Sequence, residues 1–217
     1  MSSLQARASD VVLREKPVQF GTYGKNSSTY ISMVSKWRHH FYGVVDHVHE
    51  NACTAFPPVT FKPIREYFNG FVIWYYDISA LPTEIGDTLR MEGEETEGWH
   101  QIDKKRGIIR IFYDKRVPET RQRFTVAHEW GHVFQSLDLS FKSDMESVSD
   151  PSERNRIIES VADHFAGYYL VPQNLLQREL GQFDFQTSPD EHISYLANRF
   201  NVSNEAMTHR LTARPPQ

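Results

Sequence analysis

The sequence predicts an α+β fold, a small antiparallel sheet followed by helices, and three observations carry that expectation. Short apolar runs at 71–76, 99–102 and 108–113 read as strands, the last two joined by a turn at 104–107. Two later segments repeat apolar residues at helical spacing: Val126, Trp130, Val133 and Leu137 in one, Ile158, Val161, Ala162, Phe165 and Tyr169 in the other. A pair of shorter capped helices closes the chain.

Taken in order, the first 28 residues are rich in polar and turn residues, among them Gly21, Gly24, Asn26, Ser27 and Ser28, and read as loosely ordered. A helix then begins near Ser28 or Thr29. Ile31, Val34, Trp37, Phe41, Val44, Val45 and Val48 give it one apolar face. His39, His40, His47 and His49 lie on or near this helix. His40 and His47 are about 10 Å apart along its axis, too far to share one ion, which favours a solvated polar face over a metal site. A short helix at 63–69 stops at Gly70, and 71–76 follows as a buried strand. The acidic run Glu92-Gly93-Glu94-Glu95-Thr96-Glu97 is most simply a solvated loop, with attraction of a basic substrate segment as the alternative.

Pro118 fits the first turn of the next helix. Asp150, Pro151 and Glu153 form a capping-box start for the one after it, and Pro172 closes that helix. Near the C-terminus, Ser188-Pro189-Asp190-Glu191 is a further capping box. Ile193, Leu196, Ala197 and Phe200 make a helix face, and Ser203 caps a last helix carrying Met207 and Leu211. The organisation expected is an N-terminal extension with one amphipathic helix (1–55), a core (56–185) and a helical segment (186–217).

With 217 residues, 39% hydrophobic and 24% charged, the chain can bury a full core. A net charge of −4 argues against a dominant phosphate-binding surface. There is no apolar run of about 18 residues and no basic-plus-apolar start, so neither a membrane span nor export is expected. The lone Cys53 can form no internal disulfide, which suits a reducing cytoplasm.

Chemistry concentrates at His128-Glu129-Trp130-Gly131-His132. On a helix, residues four apart share a face, so both imidazoles can reach one divalent metal while Glu129 stands beside the metal's open side. This is the HExxH arrangement of zinc hydrolases. A helix with two core or surface histidines is the plainer alternative. Catalytic zinc takes three protein ligands and a water. Glu159, 27 residues beyond His132, can donate a carboxylate oxygen, and Asp163, four further on, can orient a histidine from behind. The alternative there is a solvated acidic edge opposite Arg154 and Arg156.

The run from Arg123 to His132, the run Glu159-Ser160-Val161-Ala162-Asp163-His164-Phe165-Ala166 and the closing Leu170-Val171-Pro172 together resemble the ImmA/IrrE family of metallopeptidases. More weakly, the resemblance extends from about Pro57 to Leu211. It implies a small zincin-like core of gluzincin type: an antiparallel sheet, the HExxH helix and a second ligand helix. By position it implies His128, His132 and Glu159 as ligands of one zinc, Glu129 as general base and Asp163 as the acceptor behind His128. Trp130 and Gly167-Tyr168-Tyr169 depart from the family's usual aliphatic residues and predict a wider or more aromatic cleft. Studied members act inside the cell on helix-turn-helix repressors, so a protein substrate of that kind is implied.

In the mechanism expected, Glu129 accepts a proton from water and passes it to the leaving amine. His100, His164, Tyr168 and Tyr169 are candidates for stabilising the oxyanion, each with an ordinary packing role as its alternative. The terminal helices resemble the helix-turn-helix-like segment that closes many members of the family. Arg199, Arg210 and Arg214 are matched there by Asp190, Glu191 and Glu205, so a packed helical pair is favoured over a DNA reader. The second functional class is a metal-stabilised regulatory module that binds a protein or DNA without turnover.

Overall fold

The structure, a computed structural model, describes residues 27–80, 97–182 and 189–212. The expectations placed on the first 26 residues, on 92–96, on Ser188 and on Arg214 lie outside them. The described residues form helices α1 (Ser28–Asn51) and α2 (Lys62–Tyr67), strands β1 (Val72–Asp77), β2 (Gly98–Asp103) and β3 (Ile108–Tyr113), and helices α3 (Glu119–Leu137) and α4 (Leu139–Ser147). Helices α5 (Pro151–Leu170), α6 (Gln173–Leu180), α7 (Pro189–Phe200) and α8 (Asn204–Thr212) complete an α+β arrangement.

The helices start where their caps direct. The Ser27 hydroxyl accepts from the Tyr30 amide at 3.0 Å, and the Asp150 carboxylate accepts from the Ser152 amide at 2.9 Å. Pro118 sits one position earlier than expected, at the cap of α3 rather than inside its first turn. Glu153, expected as the second half of a capping box, accepts from the Ser27 hydroxyl and so ties α5 to the start of α1.

The sheet departs from the expected antiparallel arrangement. Its order is β1-β3-β2, with β2 antiparallel to β3 but β1 parallel to it, Ile73 opposite Ile109 and Tyr75 opposite Ile111. A tight turn governs only the β2–β3 hairpin. Between β1 and β2 the chain has the length needed to pass β3, and parallel pairing requires such a connection. Strand β1 is also not buried on both sides: Val72 and Trp74 are each 53% exposed on the outer face.

Helix α1 lies along α5. Trp37, Phe41 and Val45 join Trp130, Val133, Phe165 and Tyr169 in one hydrophobic cluster. Helices α3 and α5 cross at Gly131, where an added Cβ would lie 3.1–3.3 Å from the Cα, carbonyl oxygen and Cβ of Ala162. Backbone atoms cannot swing aside, so this crossing sets how closely the two helices approach. Gly131→Val is expected to destabilise the fold by about 1–3 kcal/mol through overpacking, read as a lowered midpoint in thermal unfolding.

His49 is the exception to the solvated histidine face. It is 3% exposed, its Nε2–H donates to the Tyr169 carbonyl at 3.0 Å, and its Nδ1 accepts from the Thr54 hydroxyl at 3.2 Å. One residue beyond the Val48 position, it falls on the seam where α1 meets the end of α5. Burial pushes its pKa down to about 4, only partly opposed by the carbonyl bond, and His164 is likewise lowered to about 4 by burial and by Arg38. Both folded values lie below the ordinary one, so the unfolded chain takes up these protons first. The contribution of these two residues to stability is therefore full above pH ~6.5 and falls as the pH drops toward 4. The His49 share amounts to about 3 kcal/mol when fully expressed. Denaturant titrations at pH 7 and pH 4.5 should show the loss, and His49→Gln should reduce it.

At the C-terminal end, the Ser203 hydroxyl accepts from the Ala206 amide at 3.1 Å, and Leu196, Phe200 and Met207 are fully buried. Arg210 is 6% exposed, donates to the Val171 carbonyl at 2.9 Å and to Gln173 Oε1 at 2.6 Å, and lies over the Tyr168 ring. Arg199 bonds Glu179 at 3.0 Å. These two arginines are committed to internal partners. Among the described residues, no helix is long and apolar enough to cross a membrane.

Candidate metal centre

The apolar side of α3 faces the core, which carries His128 and His132 on the flank turned toward α5. Their Nε2 atoms are 2.9 Å apart and lie 3.3 and 3.6 Å from Oε2 of Glu159. A tetrahedron with about 2.0–2.1 Å from centre to corner has edges of about 3.3 Å, so this triangle of two imidazole nitrogens and one carboxylate oxygen fits a zinc-sized dication. Among the described residues, it is the cluster of histidine and carboxylate groups able to hold a metal ion.

Both rings are held from behind. The Nδ1–H of His128 donates to Asp163 Oδ1 at 2.8 Å, and that of His132 to Gln135 Oε1 at 2.9 Å. With Nδ1 engaged as donor, Nε2 is the nitrogen each ring turns to the shared point, and the one that binds metal once its proton is displaced. Burial alone would lower the His128 pKa, but Asp163, Glu159 and Glu129 outweigh it and hold the imidazole at about 10 in the absence of metal. The same negative field favours a bound cation.

Glu129 is 2% exposed and lies against β2, where His100 Nδ1 stands 2.8 Å from its Oε2. The His100 ring runs nearly parallel to that of His132, 5.8 Å between centroids. Close approach of strand and helix depends on Gly98. A Cβ there would fall 2.4 Å from Thr125 Cγ2 and 2.8 Å from the Phe112 carbonyl oxygen, so only glycine fits.

Of the four oxyanion candidates, the structure brings His100 to the site and turns the others elsewhere. His164 Nδ1 is 3.5 Å from the Tyr42 hydroxyl, Tyr168 donates to Asp46 at 3.1 Å, and Tyr169 donates to the Thr60 carbonyl at 2.7 Å. Their positions on α5 face α1 and the chain before β1, not α3. The expectation of a more aromatic cleft is corrected on the same ground. Trp130 is fully buried, stacked on Phe68 with its indole N–H on the Tyr75 hydroxyl, and Tyr168 and Tyr169 are fully buried as well. These aromatic residues enlarge the core. The sequence reading passed over Gln135 and Gly98; the one signal for Gln135 was its place three residues after His132, on the same helical face.

The model of the Peptidase_M78 family, the IrrE N-terminal-like domain, matches residues 87–212. Over 121 residues the chain is 30% identical to the radiation response metalloprotease IrrE of Deinococcus radiodurans, an alignment that covers 55% of this chain and 35% of that protein. The chain thus corresponds to about a third of that relative's length. A solved structure, a Mycobacterium tuberculosis transcriptional regulator, aligns with a TM-score of 0.55 at 16% identity, over 88% of this chain and 54% of that one, a likeness of fold. Matched by the family model over more than half its length, the chain belongs to the IrrE N-terminal-like family of ImmA/IrrE metallopeptidases.

Proposed function

We propose that the chain is a zinc metalloendopeptidase of the cytoplasm that cleaves a protein partner, a helix-turn-helix repressor or a similar regulator. One observation carries the reading: three donor atoms in a tetrahedral-edge triangle stand on two crossing helices, and the adjacent residue of the same motif is a buried carboxylate. In this reading His128, His132 and Glu159 hold one zinc per chain, with Asp163 fixing His128 from behind. Bound there, zinc would polarise a peptide carbonyl and make water acidic enough to lose a proton near neutral pH. Glu129 takes that proton and delivers it to the departing amine. His100 donates to the Glu129 carboxylate through Nδ1 and so orients the base, and its Nε2 can donate to the oxyanion only when the ring carries a second proton.

The sheet, the HExxH helix and the second ligand helix would then act as a zincin-like core, 56–185. The segments 1–55 and 186–217 flank it, and the helix-turn-helix-like tail serves packing rather than DNA reading. The commitment of Arg199 and Arg210 to internal partners supports that role. The test is a survey of new protein N-termini in cells expressing the wild-type chain or Glu129→Gln. A cleavage product of a regulator found only with wild type is the expected result. An unchanged set of N-termini, with the biological effect retained by Glu129→Gln, would replace the peptidase reading with that of a metal-stabilised binding module.

A further inference from the structure

We infer that Gln135 is a positioning residue for the metal centre: it fixes the tautomer of His132 and ties that ring to the helix supplying the third ligand. The inference rests on the zinc reading of the site. Gln135 lies one turn beyond His132 and is 4% exposed. Its side-chain amide has two fixed partners, Oε1 at 2.9 Å from His132 Nδ1 and Nε2 at 2.9 Å from the carbonyl oxygen of Ile158.

A carbonyl oxygen only accepts, so the end of the amide facing Ile158 must be the NH2 group. The end facing His132 is therefore the oxygen, which also only accepts. His132 Nδ1 must carry the proton, and its lone pair is left on Nε2, the atom that faces His128 Nε2 and Glu159. The chain of donors and acceptors thus determines which nitrogen of His132 can bind metal. Ile158 is the residue immediately before Glu159. One buried amide therefore links a ligand on α3 to the backbone beside the ligand on α5, and holds their separation from inside.

The two histidines are held differently. Asp163 gives His128 a charged acceptor on the open side of the site, its side chain 46% exposed, whereas Gln135 gives His132 a neutral acceptor in the interior. A carboxylate at 135 could still accept from His132 but would set an oxygen against the Ile158 carbonyl. That asymmetry separates the two functions of the residue.

The experiment measures zinc affinity by competition with a chromogenic chelator for wild type, Gln135→Met, Gln135→Glu and His132→Ala, each at a temperature well below its own unfolding midpoint. Gln135→Met, similar in size but without acceptor or donor, is expected to weaken zinc about 10–100-fold. Gln135→Glu, which restores the acceptor, should return affinity to within a few-fold of wild type although it unfolds earlier. Zinc affinity in Gln135→Met within twofold of wild type, or a loss in Gln135→Glu equal to that in Gln135→Met, would overturn the inference. Should Gln135→Met not fold, long-range proton–nitrogen NMR of zinc-loaded wild type decides: a proton on His132 Nδ1 supports the role, and a proton on Nε2 overturns it. Failure of the underlying zinc reading has a different signature, wild type and His132→Ala binding zinc equally or not at all.

Discussion

Glu129→Gln is expected to slow peptide cleavage about 10²–10⁴-fold while the zinc content stays at the wild-type level. Glutamine has the same shape, and its carbonyl oxygen can still accept from His100 Nδ1, so the packing around this 2% exposed side chain need not change. What is lost is an oxygen able to take a proton from water and return it to the amine. The ligand triangle of His128, His132 and Glu159 does not include Glu129, and metal content should not respond. The measurement is single-turnover cleavage of the partner found in the N-terminal survey, with metal analysis of the same sample. A variant that cuts at the wild-type rate would remove Glu129 from the chemistry.

The second large effect is expected for His132→Ala. This removes one corner of the triangle and leaves Gln135 without its imidazole partner, so zinc affinity should fall by more than the roughly 10–100-fold that loss of an outer partner costs. Ligand binding to the folded state adds stability by mass action. With free zinc at about a thousand times the dissociation constant, the wild-type fold should gain about 4 kcal/mol, visible as a higher unfolding midpoint. His132→Ala should gain almost nothing under the same conditions, and a chelator should bring the wild-type protein down to its metal-free midpoint. An equal zinc-dependent rise in the variant would show that the stabilising ion sits elsewhere.

The parts of this molecule legible in its sequence are those set by local rules. The starts of α1, α3 and α5 and the end of α5 follow from the sequence to within a residue or two. For α3 and α5 the reason is that Pro118, Asp150 and Pro172 are start and stop signals that act over one turn, whereas Ser27, which caps α1, reads in the sequence only as part of a loosely ordered segment. The triangle of His128, His132 and Glu159 could be anticipated for a related reason: i,i+4 spacing fixes two corners, and only the third depends on how two helices cross. What the sequence hid is what depends on that crossing or on pairing between distant strands. The parallel alignment of β1 with β3 is a long-range choice that no turn motif signals. His49 carries the same spacing cues as its exposed neighbours and becomes buried only because the end of α5 lies over it. Tyr168 and Tyr169 were sensible candidates by type, yet their direction from α5 leads to α1. Gln135, in the last turn of α3, has only its spacing from His132 as a signal; its meaning arises from the Ile158 carbonyl across the crossing.

The central claim is that His128, His132 and Glu159 together hold one zinc. Native mass spectrometry of the purified chain, wild type beside Glu159→Ala, tests it most directly. The account predicts one zinc per wild-type chain and its loss or marked weakening in the variant. A wild-type chain that takes up no zinc, or a Glu159→Ala chain that keeps it undiminished, would contradict the account.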